Sequence, residues 1–288
     1  MDPLPQDAPH FFLDTSLDLL DEVPYALLVE ISQLAQANGS VAAYESLQFA
    51  VRKLQWVKLA AARAVEIDRV LRAQPVDGYL LLDTVAQSEH AKSVLEVVSY
   101  GKAVTDAISH FLNERWALGH KERTCDIKWQ VFRDSVAARH PTLAQFFAAH
   151  VDWLNKDSRT ADSLPATRDE WLHRGVPGTA LLWPPTEVGA LPVLRSLSSL
   201  TGGLPPTATS ASFMSTPEFV SHHLKNLVNL LLCILRVAIS EERRTAPDLL
   251  VRNSGGPPVS FFLTRITQER AWVGMRLGPY TSRVHGSQ

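Results

Sequence analysis

From Phe219 to Ile239 the chain is apolar nearly all the way round a helix, through Leu224, Leu227, Leu230, Leu231, Ile234 and Leu235. A helix with no polar face has to be covered on every side, so this segment predicts a central core helix with other helices around it. Thr216-Pro217-Glu218 opens it, and Pro217 is acceptable in a first turn, where its missing N–H has no helical partner anyway. The uninterrupted apolar part, Leu227 to Ile239, reads as too short to span a bilayer and carries Asn229 and Arg236 within it. No membrane partner is therefore expected.

The segments that could surround this helix are also helical by pattern. Val41 to Ala73 is rich in Ala, Leu, Lys, Arg and Glu. Its apolar residues, Leu47, Val51, Leu54, Leu59, Val65 and Leu71 among them, recur every three to four positions. Gln74-Pro75-Val76-Asp77-Gly78 breaks the pattern. A second helix is expected over about residues 80–118, with an interruption near Gly101 and a stop at Gly119-His120-Lys121. A third runs from Asp126 to Arg139, before His140-Pro141. A fourth covers Thr142 to Asn155, with Leu143, Phe146, Phe147, His150, Val151 and Leu154 on one side. Residues 175–216 are dense in Pro, Gly, Ser and Thr and read as a long irregular insert. Beyond Pro247, Val259–Ile266 and Ala271–Leu277 read as two short strands about Thr267-Gln268-Glu269-Arg270, the pattern of a β-hairpin. The fold class is mainly α. The expected division is an acidic N-terminal helical region (1–76), a helical domain (77–245) containing the insert 175–216, and a basic C-terminal extension (246–288).

Charge separates the two ends. Residues 1–51 hold eight acidic side chains and no Lys or Arg, whereas the last 46 residues hold seven arginines against Asp248 and Glu269. Either the two ends pair, or the basic part meets an anion that the acidic part shields. The whole chain carries only −2, so bulk attraction to nucleic acid or membrane is excluded as the main driver. Cys125 and Cys233 are too few for a disulfide framework or a cysteine-rich zinc site, and a reducing, cytoplasmic setting is expected. The N-terminus shows no basic stretch followed by an apolar core, so no signal peptide is expected. No P-loop, dinucleotide fingerprint, Gly-x-Ser-x-Gly elbow or His-Glu-x-x-His occurs, and no cofactor or metal is expected.

The segment with the most chemistry is Leu164-Pro165-Ala166-Thr167-Arg168-Asp169-Glu170-Trp171-Leu172-His173-Arg174-Gly175. Thr167 and Glu170 fit a capping box, which predicts a helix of about two turns starting at Arg168 and ending at Gly175. Arg168 would then sit in the first turn, where free N–H groups and the helix dipole favour an anion, and its guanidinium suits a phosphate. His173 lies about 140° further round an ideal helix, so the pair borders one groove only if the arginine reaches round or a second subunit adds the other wall. Asp169 and His173, at i and i+4, share a face, and the carboxylate could orient the imidazole for acid–base work. RNA brings its own 2′-hydroxyl nucleophile, so these three groups suffice for its cleavage. A structural alternative makes Arg168 and Asp169 ordinary first-turn residues, and His173 with Arg174 C-terminal cations favoured by the dipole.

Arg168-Asp169-Glu170-Trp171-Leu172-His173 resembles the Arg-polar-x-x-x-His motif of HEPN domains (higher eukaryotes and prokaryotes nucleotide-binding). The resemblance extends over about residues 77–245, through Ile108-Ser109-His110-Phe111-Leu112-Asn113-Glu114, Val151-Asp152-Trp153-Leu154-Asn155-Lys156 and the long apolar helix. It implies an up-and-down helical bundle that dimerises with two motifs at the interface. It also implies a metal-independent endoribonuclease of defence or toxin systems, with RNA as substrate and an antitoxin or defence protein as partner. Arg168 would hold the scissile phosphate, His173 would be the general acid or base, and Asp169 would support them. Other members of the family are inactive and act as nucleotide-binding, RNA-binding or protein-interaction scaffolds. Arg115 and His120 repeat the spacing, but Trp116 stands at the polar position and Gly119 intervenes, so they read as a helix terminus. His222-His223 diverge by about 100° and read as core or interface partners. Trp153, Trp171 and Trp183 could stack bases, although core packing is the commoner fate of tryptophan.

Overall fold

A computed structural model of the chain describes residues 10–14, 44–73, 84–173, 177, 179, 187–197, 212–245, 259–267 and 270–277. It is mainly helical. The chain separates into two compact units, residues 42–237 and the paired segments 1–41 and 238–288. In the second, strands β1 (His10–Asp14), β4 (Val259–Thr267) and β5 (Arg270–Leu277) form an antiparallel sheet in the order β1-β5-β4. The β4–β5 register runs from Val259 opposite Leu277 to Thr267 opposite Arg270, with an irregularity between Arg265 and Thr267. The side chains of both charged ends lie outside the described residues, as does the break expected at residues 74–78.

The larger unit holds helices α1 (Glu45–Arg72), α2 (Thr84–Arg115), α3 (Gln130–Ala137), α4 (Pro141–Ala149), α5 (Leu164–His173) and most of α6 (Thr216–Thr245). On α1, Leu47, Val51, Leu54 and Leu71 are buried as their spacing predicts, but Leu59 is 59% exposed. The helix buries Val57, Ala60, Ala61 and Ala64 instead, small residues that let α2 lie close. On α6, Phe219, Leu224, Leu227, Leu230, Leu231, Ile234 and Leu235 are all buried, which makes it the expected core helix. Its stretch Thr216–Glu241 is long and apolar enough to cross a bilayer, contrary to the sequence reading, yet most of it is buried inside the fold. Ser215 caps it reciprocally: its hydroxyl accepts from the Glu218 N–H at 3.2 Å, and the Glu218 carboxylate accepts from the Ser215 N–H at 3.4 Å.

Several boundaries differ from expectation, among them that of the fourth helix, which ends at Ala149 and not at Asn155 because His150 leaves the helical conformation at φ −122°. Helix α2 passes straight through Gly101, because that glycine serves packing rather than a break. A Cβ there would lie 3.1 Å from a methyl of Leu164 and 3.1 Å from one of Leu227, so the missing side chain lets α5 and α6 approach. The same helix ends at Arg115, ahead of Gly119. Ala117 takes φ 48°, its N–H bonds to the Glu114 carbonyl, and the Leu118 N–H bonds to that of Asn113, a Schellman closure. The third helix starts at Gln130, because Asp126 opens a tight turn in which its carboxylate accepts from the Lys128 N–H at 2.9 Å and its carbonyl from the Trp129 N–H at 2.9 Å. At Gly101, Ala should leave stability nearly unchanged, since about 1 kcal/mol of helix propensity offsets the crowding. Val there should cost about 1–3 kcal/mol, read as a lower urea midpoint.

Within the insert, residues 177, 179, 187–197 and 212–216 are described. Strands β2 (Val193–Leu194) and β3 (Phe213–Met214) pair antiparallel, and Thr160 bridges Ser196. Asp68 of α1 anchors this piece: its buried carboxylate accepts from the Ala190 and Leu191 N–H groups at 2.9 and 2.7 Å. Gly189 makes the approach possible, with φ 133° and no room for a Cβ beside the Asp68 oxygens at 3.0 Å. Asp68→Ala leaves two buried donors unpaired and should cost about 2–4 kcal/mol. Asp68→Asn keeps the acceptor and should cost less. Urea titration of both variants checks the order.

Candidate active site

Helix α5 carries all three residues singled out in the sequence, and it begins four residues earlier than the capping box predicts. Ser163 precedes it: its Oγ accepts from the Ala166 N–H at 3.3 Å and donates to the Asn155 carbonyl at 2.7 Å. Thr167 lies inside the helix, and its hydroxyl donates back to the Ser163 carbonyl. Pro165 occupies the first turn expected for Arg168. Arg168 therefore sits in the second turn, away from the free N–H groups. The helix-terminus argument for phosphate binding does not apply to it.

Inward, α5 buries Leu164, Ala166, Thr167 and Trp171, with the Trp171 ring 5.5 Å from that of Phe219 on α6. This fixes the helix and turns Arg168, Asp169 and His173 outward. Arg168 and His173 do not share a face by angle, but the guanidinium reaches round: its Nη1 lies 3.3 Å from His173 Nε2. An arginine can only donate, so in this arrangement the imidazole accepts at Nε2 and carries its proton on Nδ1. The same Nη1 donates to Asp169 Oδ1 at 2.8 Å. Asp169 thus holds Arg168, and the expected Asp169–His173 pairing is replaced by one through the arginine. Burial works against ionisation of Asp169, but the Arg168 hydrogen bond and the charges of Lys128, Arg168 and Lys102 outweigh it. Its carboxyl therefore titrates below its ordinary value.

The sequence reading missed Lys128, whose Nζ stands 3.6 Å from Asp169 Oδ2 and 3.7 Å from Asp126 Oδ2. Asp126 also pairs at 2.9 Å with Lys102, a nearly buried lysine of α2 that in turn pairs with Asp106. An alternating chain of charges therefore runs from the core of α2 to His173. The turn that delivers Lys128 is pinned from below. Ser109 Oγ accepts from the Ile127 N–H at 3.0 Å, and the buried Arg133 donates to the carbonyls of Ile127 and Lys128 at 2.8 and 3.0 Å. Next in the chain, Trp129 has Lys128 Nζ 5.7 Å and Lys156 Nζ 4.9 Å from its ring centroid. The adjacent basic and aromatic residues Lys128-Trp129 were the available signal.

The other candidates are structural. Trp153 and Trp171 are buried core rings, and Trp183 lies outside the described residues. His223 is fully buried: Nδ1 accepts from Trp153 Nε1 at 3.2 Å and Nε2 donates to the Ala161 carbonyl at 3.0 Å. His222 donates to the Asp162 carbonyl at 2.9 Å. Arg115 is the last residue of α2, and His120 bonds Ser135 Oγ at 3.0 Å. Burial, with Asp126, Asp106 and Glu114 nearby, pushes the Cys125 thiol up to about 11, so it is no nucleophile. Comparison of the chain with protein-family models, with curated proteins and with solved structures finds no match.

Proposed function

We propose that the chain is a metal-independent endoribonuclease of the HEPN type, a helical bundle acting as a homodimer in the cytoplasm within a bacterial defence or toxin system. The observation that carries this reading is the contact between Arg168 Nη1 and His173 Nε2 on an outward-facing helix. It puts a fixed cation and an unprotonated imidazole nitrogen within reach of one phosphodiester. In the reaction, Arg168 binds the non-bridging oxygens of the scissile phosphate and leaves Nε2 free. Nε2 takes the proton of the 2′-hydroxyl. The 2′-oxygen bonds to phosphorus while the bond from phosphorus to the 5′-oxygen breaks. The leaving 5′-oxygen takes a proton from the imidazolium of the second copy, giving a 2′,3′-cyclic phosphate and a 5′-hydroxyl. The dimer supplies the acid that one motif lacks.

The test is incubation of the purified full chain with total RNA in EDTA, followed by analysis of the ends. Cyclic phosphate and 5′-hydroxyl ends are expected, and intact RNA would remove the assignment. One observation favours a second reading, a non-catalytic binding or scaffold module: Asp169 already neutralises Arg168 at 2.8 Å. Tight binding of RNA without cleavage would select it.

A further inference from the structure

We propose that Lys128 and Lys156, both near the Trp129 ring, continue from Arg168 as a track for the phosphates of single-stranded RNA, and that the Asp169 carboxylate keeps the scissile-phosphate position until RNA displaces it. The naming of RNA as the polyanion rests on the ribonuclease reading. The track itself rests on geometry.

The Asp169 carboxylate marks where an anion sits. One oxygen accepts from Arg168 Nη1 at 2.8 Å and the other faces Lys128 Nζ at 3.6 Å. Two cations from different elements, α5 and the turn before α3, thus converge on one pair of oxygens. A phosphodiester offers the same pair of oxygens with the same single negative charge, so it competes for the same place. Asp169 is held from a flexible side chain on an outward-facing helix position, so it can swing away without unfolding anything. Lys128 cannot leave as easily, because its backbone is fixed by Asp126, Ser109 and Arg133.

The carboxylates of the region are unequally committed. Asp126 is nearly buried and stays with Lys102, with the turn and, at 3.7 Å, with Lys128, and Asp106 belongs to Lys102. Asp157 pairs with Lys156 at 2.6 Å, on a side chain that is 76% exposed. It holds its lysine through water-accessible contact alone, which is weak. With Asp169 and Asp157 displaced, Arg168 and Lys156 lose their carboxylates while Lys128 keeps Asp126 at 3.7 Å, which leaves three part-exposed cations against one buried carboxylate in the neighbourhood of Trp129. A basic row with an aromatic wall is the arrangement that holds a single strand without reading its sequence.

The test uses the full chain carrying His173→Ala, so that RNA is bound and not consumed, with a short fluorescent single-stranded RNA of mixed sequence as probe. Lys128→Met with Lys156→Met keeps both apolar stems and should weaken binding about tenfold at low salt. It should also reduce the salt slope by about 0.7 for each phosphate that is no longer neutralised. Asp169→Asn should tighten binding several-fold. Unchanged affinity and slope in the double variant, weaker binding by Asp169→Asn, or no binding of RNA by the parent protein would each overturn the track. Melting temperatures confirm that the variants are folded. If lysine-dependent binding is found but the wild type leaves RNA intact, the track stands and the nuclease reading falls. If the wild type cleaves while the double variant binds as before, the nuclease reading stands and the track falls.

Discussion

His173→Ala and Arg168→Ala should each, under the proposed ribonuclease reading, lower RNA cleavage by about 10³-fold or more while the melting temperature stays within a degree or two. The first removes the proton acceptor, a contribution of about 10²–10⁴. The second removes the charge that meets the phosphate as negative charge builds on it, which is of similar size. Neither should harm the fold. His173 is exposed and the Arg168 side chain is 29% exposed, and their bonds are to each other and to Asp169. Arg168→Lys should recover only part of the rate, because a lysine cannot bind two phosphate oxygens in fork geometry. The measurement is a cleavage time course beside a thermal melt of each variant. Full activity in both alanine variants would remove the site.

Acid should unfold the larger unit unusually early. Burial lowers His90 to about 4 and His223 to about 3, the latter with help from the His222 charge against the Ala161 hydrogen bond. Both ordinarily titrate near 6.5, so between roughly pH 6.5 and 4 the unfolded chain binds two protons that the folded chain refuses. Stability is then complete above pH 6.5 and is lost as the pH falls, by up to about 1.4 kcal/mol per unit for each histidine. At pH 4.5 the two together remove about 5 kcal/mol, a large share of a typical domain's 5–15. Urea midpoints at pH 7, 5.5 and 4.5 would show the slope. The double variant His90→Gln with His223→Gln keeps hydrogen-bonding side chains without the titration, so its midpoint should depend much less on pH. An equal slope in that variant would refute the assignment.

What the sequence revealed and what it hid divide along one line. Periodicity located the helices because burial repeats along one chain: Leu47, Val51 and Leu54 on α1, and Leu227, Leu231 and Leu235 on α6, declare their faces without reference to anything else. Features set by a distant partner were illegible. Thr167 and Glu170 have the spacing of a cap, but the Leu164 N–H bonds the Trp153 carbonyl at 3.0 Å and starts the helix earlier. Gly101 resembles a break until Leu164 and Leu227 are seen against it. Arg168, Asp169 and His173 could be picked out because they share one helix. Lys128 beside Trp129 was legible as a basic–aromatic pair, but its nearness to Asp169, and that of Lys156 to Trp129, exist only once the turn at Asp126 has folded.

Gly101 acts at a distance from where it stands. Leu164, which fills the space above it, begins the same helix whose next turn presents Arg168. A methyl group at Gly101 that pushes Leu164 outward by a few tenths of an ångström would carry the guanidinium with it, while Lys128 stays on its own pinned turn. The thickness of that residue on a third helix therefore bears on how closely α5 seats, and with it on where Arg168 stands relative to Lys128. Under the proposed reading, a bulkier residue there would shift the helix that carries Arg168 without touching any of the groups assigned to the site.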